Sequence, residues 1–268
     1  MTVSQVQGEF LGAGCNRGAN LSVLTNDGIL AFAVRNTIAL ARVLDNYNFT
    51  IYKTLVVDEL MADVTSIDLI IDPLNKGKSC GLMAGFSNGS TVIWKRIGDK
   101  WEFSHSVQDH SSSVSLVKSL KIKDGFVFVT GSDDGACHLY KINADFSMLQ
   151  KMDQSIRFGG RKFATSIGIS HLPTQSDSLI LLAMACTDCK IYFYWARADA
   201  GEFHQSLVLP GHENWIRDMN FMKVMSNNGN DWSLLMSSAS QDSYIRVWKI
   251  CPISEAELME ESNPDPIQ

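Results

Sequence analysis

A strand of small and apolar residues, a tight turn and an alternating strand closed by an aromatic residue recur along this 268-residue chain. The clearest copy, Leu234–Ile250, turns at Asp242 and closes on Trp248. Gly81–Lys95 repeats the pattern with Asn88-Gly89 at the turn, Val127–Lys141 with Asp134-Gly135, and Leu181–Tyr194 with the turn near Asp188. A weaker copy, Gly28–Leu40, opens the series. Asn-Gly and Asp-Gly between alternating runs are hairpin signals, because their positive φ suits the twist of paired strands.

The closing residues Leu40, Trp94, Tyr140, Tyr194 and Trp248 stand 54, 46, 54 and 54 residues apart. Blade repeats run to about 40–45 residues, so these units are blades with longer loops. The first strands of four units are expected at Val64–Ile71, Val114–Leu120, Ala164–Ile169 and Trp215–Phe221. No sustained helical period separates them, which argues against alternating strands and helices. A sandwich of short strands would not return one motif at near-constant spacing. The expected fold is all-β, a WD40-type β-propeller with about five blades, short of a seven-bladed ring. The propeller is assigned to residues 1–253, and 254–268, with five acidic and no basic residues, to an acidic flexible tail or linker.

Charge narrows the function. Against 29 acidic residues the chain has 23 Lys and Arg, a net charge of −6. A dedicated nucleic-acid surface needs a basic excess to neutralise phosphates, so direct nucleic-acid binding is not expected. The most apolar run, Leu179–Ala185, is far shorter than the roughly 20 residues that cross a bilayer as a helix, and no membrane partner is expected. The N-terminal residues lack the basic and apolar regions of a secretory signal. Cysteines 15, 80, 137, 186, 189 and 251 then read as reduced thiols in or beside strands. A cytoplasmic location is expected, with the nucleus as a second.

The most enzyme-like residues lie in the last unit. His212 follows Pro210-Gly211, and Ser238, Asp242 and Trp248 follow in order. A His/Ser/Asp set invites comparison with a hydrolase triad. The chain lacks a Gly-x-Ser-x-Gly elbow on a strand-to-helix turn, however. The expectation is a structural network in which His212, Ser238, Asp242 and Trp248 satisfy one another's buried polar groups. His110 and Asp134 are expected to do the same in the third unit, where Tyr140 is the closing aromatic. Cys186 and Cys189 form a single CxxC, and zinc would need two further ligands. No metal, cofactor or catalytic residue is expected. Trp215 and Arg217 are a candidate partner surface, set against the plainer reading of an aromatic packed between blades. Gly159–Lys162 is expected to be a solvated loop, and Ser111–Ser113 a loop entering a strand.

Phe10–Asn16, Gly28–Ala33, Asn36–Leu40, Leu209–Met219 and Ser238–Lys249 together resemble the Elongator complex protein 2 family, in its N-terminal propeller portion. The pairing of Gly-His-Glu-x-Trp with Ser-Gln-Asp-x-Tyr-Ile-Arg-Val-Trp is more specific than a generic WD40 blade. The resemblance implies a non-catalytic scaffold subunit supporting tRNA wobble-uridine modification. Its partners would be the largest scaffold subunit and the catalytic acetyltransferase subunit of Elongator. Members of that family are about three times longer. The alternative is another WD40 adaptor, such as a ubiquitin-ligase substrate receptor or a trafficking scaffold.

Overall fold

The computed structural model describes residues 15–250, apart from 17–19, 26, 44–48, 58–60, 74–77, 173–178, 198–201 and 226–231. The expected tail at 254–268, Cys251 and the Phe10–Gly14 part of the resemblance lie outside the described residues. Within them are nineteen strands in five antiparallel sheets, each a meander of consecutive strands. No helix among the described residues is long and apolar enough to cross a membrane.

Blade 1 comprises β1 (Ser22–Leu24), β2 (Ile29–Val34), β3 (Thr37–Val43) and β4 (Phe49–Leu55). Blade 2 comprises β5 (Val64–Asp72), β6 (Lys78–Phe86), β7 (Ser90–Ile97) and β8 (Lys100–Gln108). Blade 3 follows with β9 (Leu116–Ile122), β10 (Gly125–Gly131), β11 (Ala136–Asn143) and β12 (Leu149–Arg157). Blade 4 holds β13 (Ala164–His171), β14 (Leu179–Cys186), β15 (Ile191–Arg197) and β16 (His204–Leu209). Blade 5 has three strands, β17 (Ile216–Met225), β18 (Trp232–Ser240) and β19 (Ile245–Ile250).

The innermost strands pack in chain order, β5 on β9, β9 on β13 and β13 on β17, with blade 1 against β5. This is the arrangement of WD40-type propeller blades, and the four expected first strands coincide with β5, β9, β13 and β17. Buried Val64, Val114, Ala164 and Ile216 recur at equivalent positions, 50, 50 and 52 residues apart. The second strands of blades 3 and 4, β10 (GFVFVTG) and β14 (LILLAMAC), are mostly apolar runs because they are buried throughout, on both faces. Asn16 ties the first two blades, its side-chain amide donating to Arg35 O at 2.8 Å and Val64 O at 2.9 Å.

The hairpin turns repeat in detail. The amides of Gly89, Gly135, Cys189 and Ser243 each donate to the carbonyl three residues back. All four residues have positive φ, between 66° and 90°. Glycine supplies that conformation without strain in blades 2 and 3, while Cys189 and Ser243 adopt it in blades 4 and 5. A side chain at Gly135 would also strike the Lys162 carbonyl, at 2.7 Å from the Cβ position.

The arc ends on an uncovered face. In blades 2–4 the positions matching Ile245 and Val247 are Thr91 and Ile93, Cys137 and Leu139, and Ile191 and Phe193, all buried. In blade 5, Ile245 is 74% and Val247 67% exposed. The sequence alternates there as in any blade, but among the described residues no further blade packs on that face.

Candidate functional site

The Gly211-His212 loop crosses from blade 4 to blade 5 and lowers the His212 ring onto β18. His212 Nδ1 lies 2.7 Å from Asp242 Oδ2, and its Nε2 lies 2.8 Å from Ser238 Oγ. Trp248 Nε1 donates to the same hydroxyl at 3.2 Å. With Nδ1–H donating to the carboxylate, Nε2 accepts the Ser238 proton and leaves the hydroxyl oxygen free to accept from Trp248. All four residues marked by the sequence therefore meet in one chain of hydrogen bonds.

Asp242 is the hub. Besides His212 it accepts from the Glu213 amide at 3.0 Å and the Tyr244 amide at 2.9 Å. Burial pushes its pKa up, but the Tyr244 amide, the His212 side chain and the Glu213 amide outweigh this and hold the carboxyl well below its usual range. The Asp242 amide in turn donates to Ser240 Oγ at 3.1 Å, and Ser240 donates to Asn214 O at 2.9 Å. The turn thus pins the loop at two residues beyond His212 as well.

The order Ser–His–Asp and the distances match those of a hydrolase triad, but access does not. Ser238 is 1% exposed and His212 7%. The hydroxyl already accepts the indole N–H, and no substrate carbonyl reaches it without opening the blade. The set satisfies buried polar groups.

Blade 3 repeats this arrangement in part. His110 Nδ1 lies 3.1 Å from Asp134 Oδ2, and Nε2 lies 2.8 Å from Thr130 Oγ1. The Ser111 and Ala136 amides donate to Asp134 at 3.0 and 2.9 Å. Burial raises the Asp134 pKa, but these amides and His110 bring it below the ordinary value. Tyr140 meets the Thr130 hydroxyl, as Trp248 meets that of Ser238, but it has a second partner. Its hydroxyl donates to Asp109 Oδ2 at 2.7 Å, and Lys151 Nζ pairs with the other oxygen at 3.1 Å. Thr130, Asp109 and Lys151 were not marked from the sequence, although Thr130 aligns with Ser238.

Blade 4 solves the same problem without a histidine. Gly160 stands at the histidine position, and the turn carboxylate Asp188 is met by Lys162 Nζ at 2.9 Å and the Tyr192 hydroxyl at 2.7 Å. Gly159–Lys162 is therefore more than a solvated loop. Lys162 is a conventional blade clasp in a different chemistry. In blade 2, Asn88 caps its own turn, accepting from the Ser90 amide at 3.1 Å.

The CxxC is a consequence of the repeat. Cys186 and Cys189 are the first and last residues of the blade 4 turn, with Cys189 N donating to Cys186 O at 2.9 Å. Burial pushes both thiols above their usual pKa, opposite to a reactive thiolate. Among the described residues no group of three or more His, Cys, Asp or Glu is placed to hold a metal ion.

A half-open cavity of about 330 Å³ lies between β5, β9, β13 and β17, on the axis of the arc. Asp68, Lys118, Gly168 and Asn220 occupy one level of its wall. Asp68 Oδ2 accepts from the Ser119 amide at 2.9 Å and its hydroxyl at 3.1 Å. Desolvation nevertheless raises its pKa to about 6, against the opposing influence of Lys118.

Trp215 and Arg217 do stand together. The Arg217 guanidinium lies 5.4 Å from the Trp215 ring centroid, and Phe163 of blade 4 meets that ring edge-on at 6.2 Å. The indole packs across a blade boundary, as the plainer reading expects, and remains 38% exposed.

Fold and side-chain sets together define a WD40-type propeller segment whose polar clusters close its blades. No protein-family model matches the chain. It is similar to Elongator complex protein 2 of Danio rerio, 24% identical over 248 residues covering 90% of this chain and 27% of the relative. The protein of that name from Arabidopsis thaliana is 24% identical over 258 residues, 92% of this chain and 30% of its own. The Homo sapiens protein is 26% identical over 231 residues, 83% of this chain and 25% of its own. The chain spans less than a third of the length of these relatives.

Proposed function

We propose that this chain is a non-catalytic scaffold piece of an Elongator-type assembly, one that supports tRNA wobble-uridine modification by holding other subunits together. The observation that carries the reading is similarity to Elongator complex protein 2 from animals and a plant over most of this chain. The buried His212–Ser238–Asp242–Trp248 set adds support, because its chemistry is spent on the blade. The partners are the largest scaffold subunit and the catalytic acetyltransferase subunit, and the location is cytoplasmic with a nuclear fraction. No residue of this chain takes part in the modification chemistry.

Deleting the gene and measuring wobble-uridine side-chain modification in bulk tRNA tests this. Modification falls if the reading is right. Normal modification in a clean deletion overturns it. Copurification dominated by ubiquitin-ligase or coat components would transfer the chain to the other class of WD40 adaptor.

A further inference from the structure

At the rim where each inner strand begins, one residue is fixed in the same way in four blades. The carbonyls of Asp63, Ser113, Phe163 and Trp215 each accept from an amide of the hairpin turn in their own blade. In blades 2 and 3 this rigid position carries a small or acidic side chain, in blades 4 and 5 an aromatic one. Phe163 and Trp215 face each other edge-on at an interplanar angle of 74°, across the blade boundary.

Arg217 completes the patch. Its guanidinium lies against the Trp215 ring and beside the Gln241 amide, which, turned so that its oxygen faces the arginine, accepts from Arg217 Nε at 3.1 Å and from Nη2. Both partners are neutral, and among the described residues no carboxylate pairs with this arginine. The Trp215 amide is held by Asn214 Oδ1 at 2.8 Å. An exposed indole beside a planar cation, both already immobilised, has the composition and preorganisation of an interface anchor.

We infer that Phe163, Trp215 and Arg217 form a docking site for a peptide segment of a partner protein. Its apolar or aromatic side chain lies on Trp215, and a neighbouring Asp or Glu forks onto Arg217. Charge favours a peptide over RNA. Exposed Glu213 and Asp218 flank the patch, and the chain is net −6, which opposes a polyphosphate while leaving room for one carboxylate. Bidentate pairing with a carboxylate is what a guanidinium fork offers. The inference rests on the scaffold reading and adds a site and a ligand chemistry to it.

A phage-displayed random peptide library selected on the immobilised full chain tests the site, with the best peptide then synthesised and titrated. Enriched peptides should pair an acidic residue with an adjacent aromatic or large aliphatic one. Trp215→Ala and Arg217→Glu should each weaken binding by at least about tenfold with an unchanged melting temperature. Exchanging the peptide's acidic residue for Lys should recover binding to Arg217→Glu. If Trp215→Ala unfolds the chain, the charge exchange at exposed Arg217 decides alone. No enrichment, or peptides indifferent to Arg217→Glu, overturns the inference. Trp215-dependent capture of a single-stranded oligouridylate in place of peptides also overturns it. Should Trp215→Ala/Arg217→Glu still copurify with Elongator subunits while peptide selection fails, the site falls and the scaffold reading stands.

Discussion

Blades 3 and 5 hold the same histidine, the same turn carboxylate and a hydroxyl at the same strand position, yet they use them differently. In blade 5 the relay runs unbroken from Asp242 to Trp248, with 2.7, 2.8 and 3.2 Å between successive partners. In blade 3 the well-formed bonds run from Asp134 to Thr130, and Tyr140, beside Thr130, donates to Asp109. His138, which stands where blade 5 has Arg246, lies tilted at 41° against the His110 ring, with centroids 4.5 Å apart. Neither of its buried ring nitrogens makes a well-formed hydrogen bond. The better-connected network belongs to the blade with the exposed face, and the looser one is enclosed by neighbours.

Seven substitutions sharpen that comparison. The largest effect is expected for His212→Ala, which strands Asp242 and Ser238 together; a loss of about 2–4 kcal/mol follows from removing a buried network. His110→Ala should cost less, about 1–3 kcal/mol, because the Asp134 contact is longer and the blade is packed on both sides. Urea unfolding of both variants gives the ratio, and equal losses would remove the distinction.

Next comes coupling. Ser238→Ala leaves both His212 Nε2 and Trp248 Nε1 without a partner and should cost about 1–3 kcal/mol, while Trp248→Phe costs about 1. The pair should be strongly non-additive, since both act on one hydroxyl. Thr130→Val and Tyr140→Phe should couple more weakly, because the Tyr140 hydroxyl donates to Asp109 and only its oxygen meets Thr130. A double-mutant cycle in each blade measures this, and coupling in blade 3 as strong as in blade 5 would contradict the geometry.

The smallest effect is expected at His138. Burial lowers its pKa first and nearby His110 next, with Lys151 acting the same way and Asp109 opposing. Burial likewise lowers that of His110, with Asp134 opposing. The folded state therefore binds fewer protons than the unfolded one, so this stability is complete above about pH 6.5 and drains away as pH falls below it. His138→Phe removes two unpaired polar atoms and one titration. Its melting temperature should match or slightly exceed the parent's at pH 7.5 and exceed it more at pH 5.5. Asp68, whose raised pKa acts in the opposite direction, is common to both chains and cancels in the difference. A constant difference across that range would contradict the buried-histidine account.

Much of this was readable in advance, for a physical reason. Turns at Asn88-Gly89 and Asp134-Gly135 and alternating strands are local signals, and they located the blades. His212, Ser238, Asp242 and Trp248 were legible because blade 5 keeps every polar position of the motif. Lys162 was not, since a salt bridge to Asp188 can replace a histidine with no change in the strand pattern. Asp109 and Lys151 were hidden because their pairing with Tyr140 depends on how three segments of blade 3 meet. The exposed Ile245 and Val247 read as ordinary inward residues, because sequence alternation records which face is apolar and says nothing of what covers it.

The central claim is that the His212 set closes a blade, and amide hydrogen exchange tests it most directly. In His212→Ala, faster exchange is expected across residues 209–250, with β6, β7, β10 and β11 protected as in the parent. Unchanged exchange throughout blade 5 would contradict the account, leaving the four residues without the structural role assigned to them.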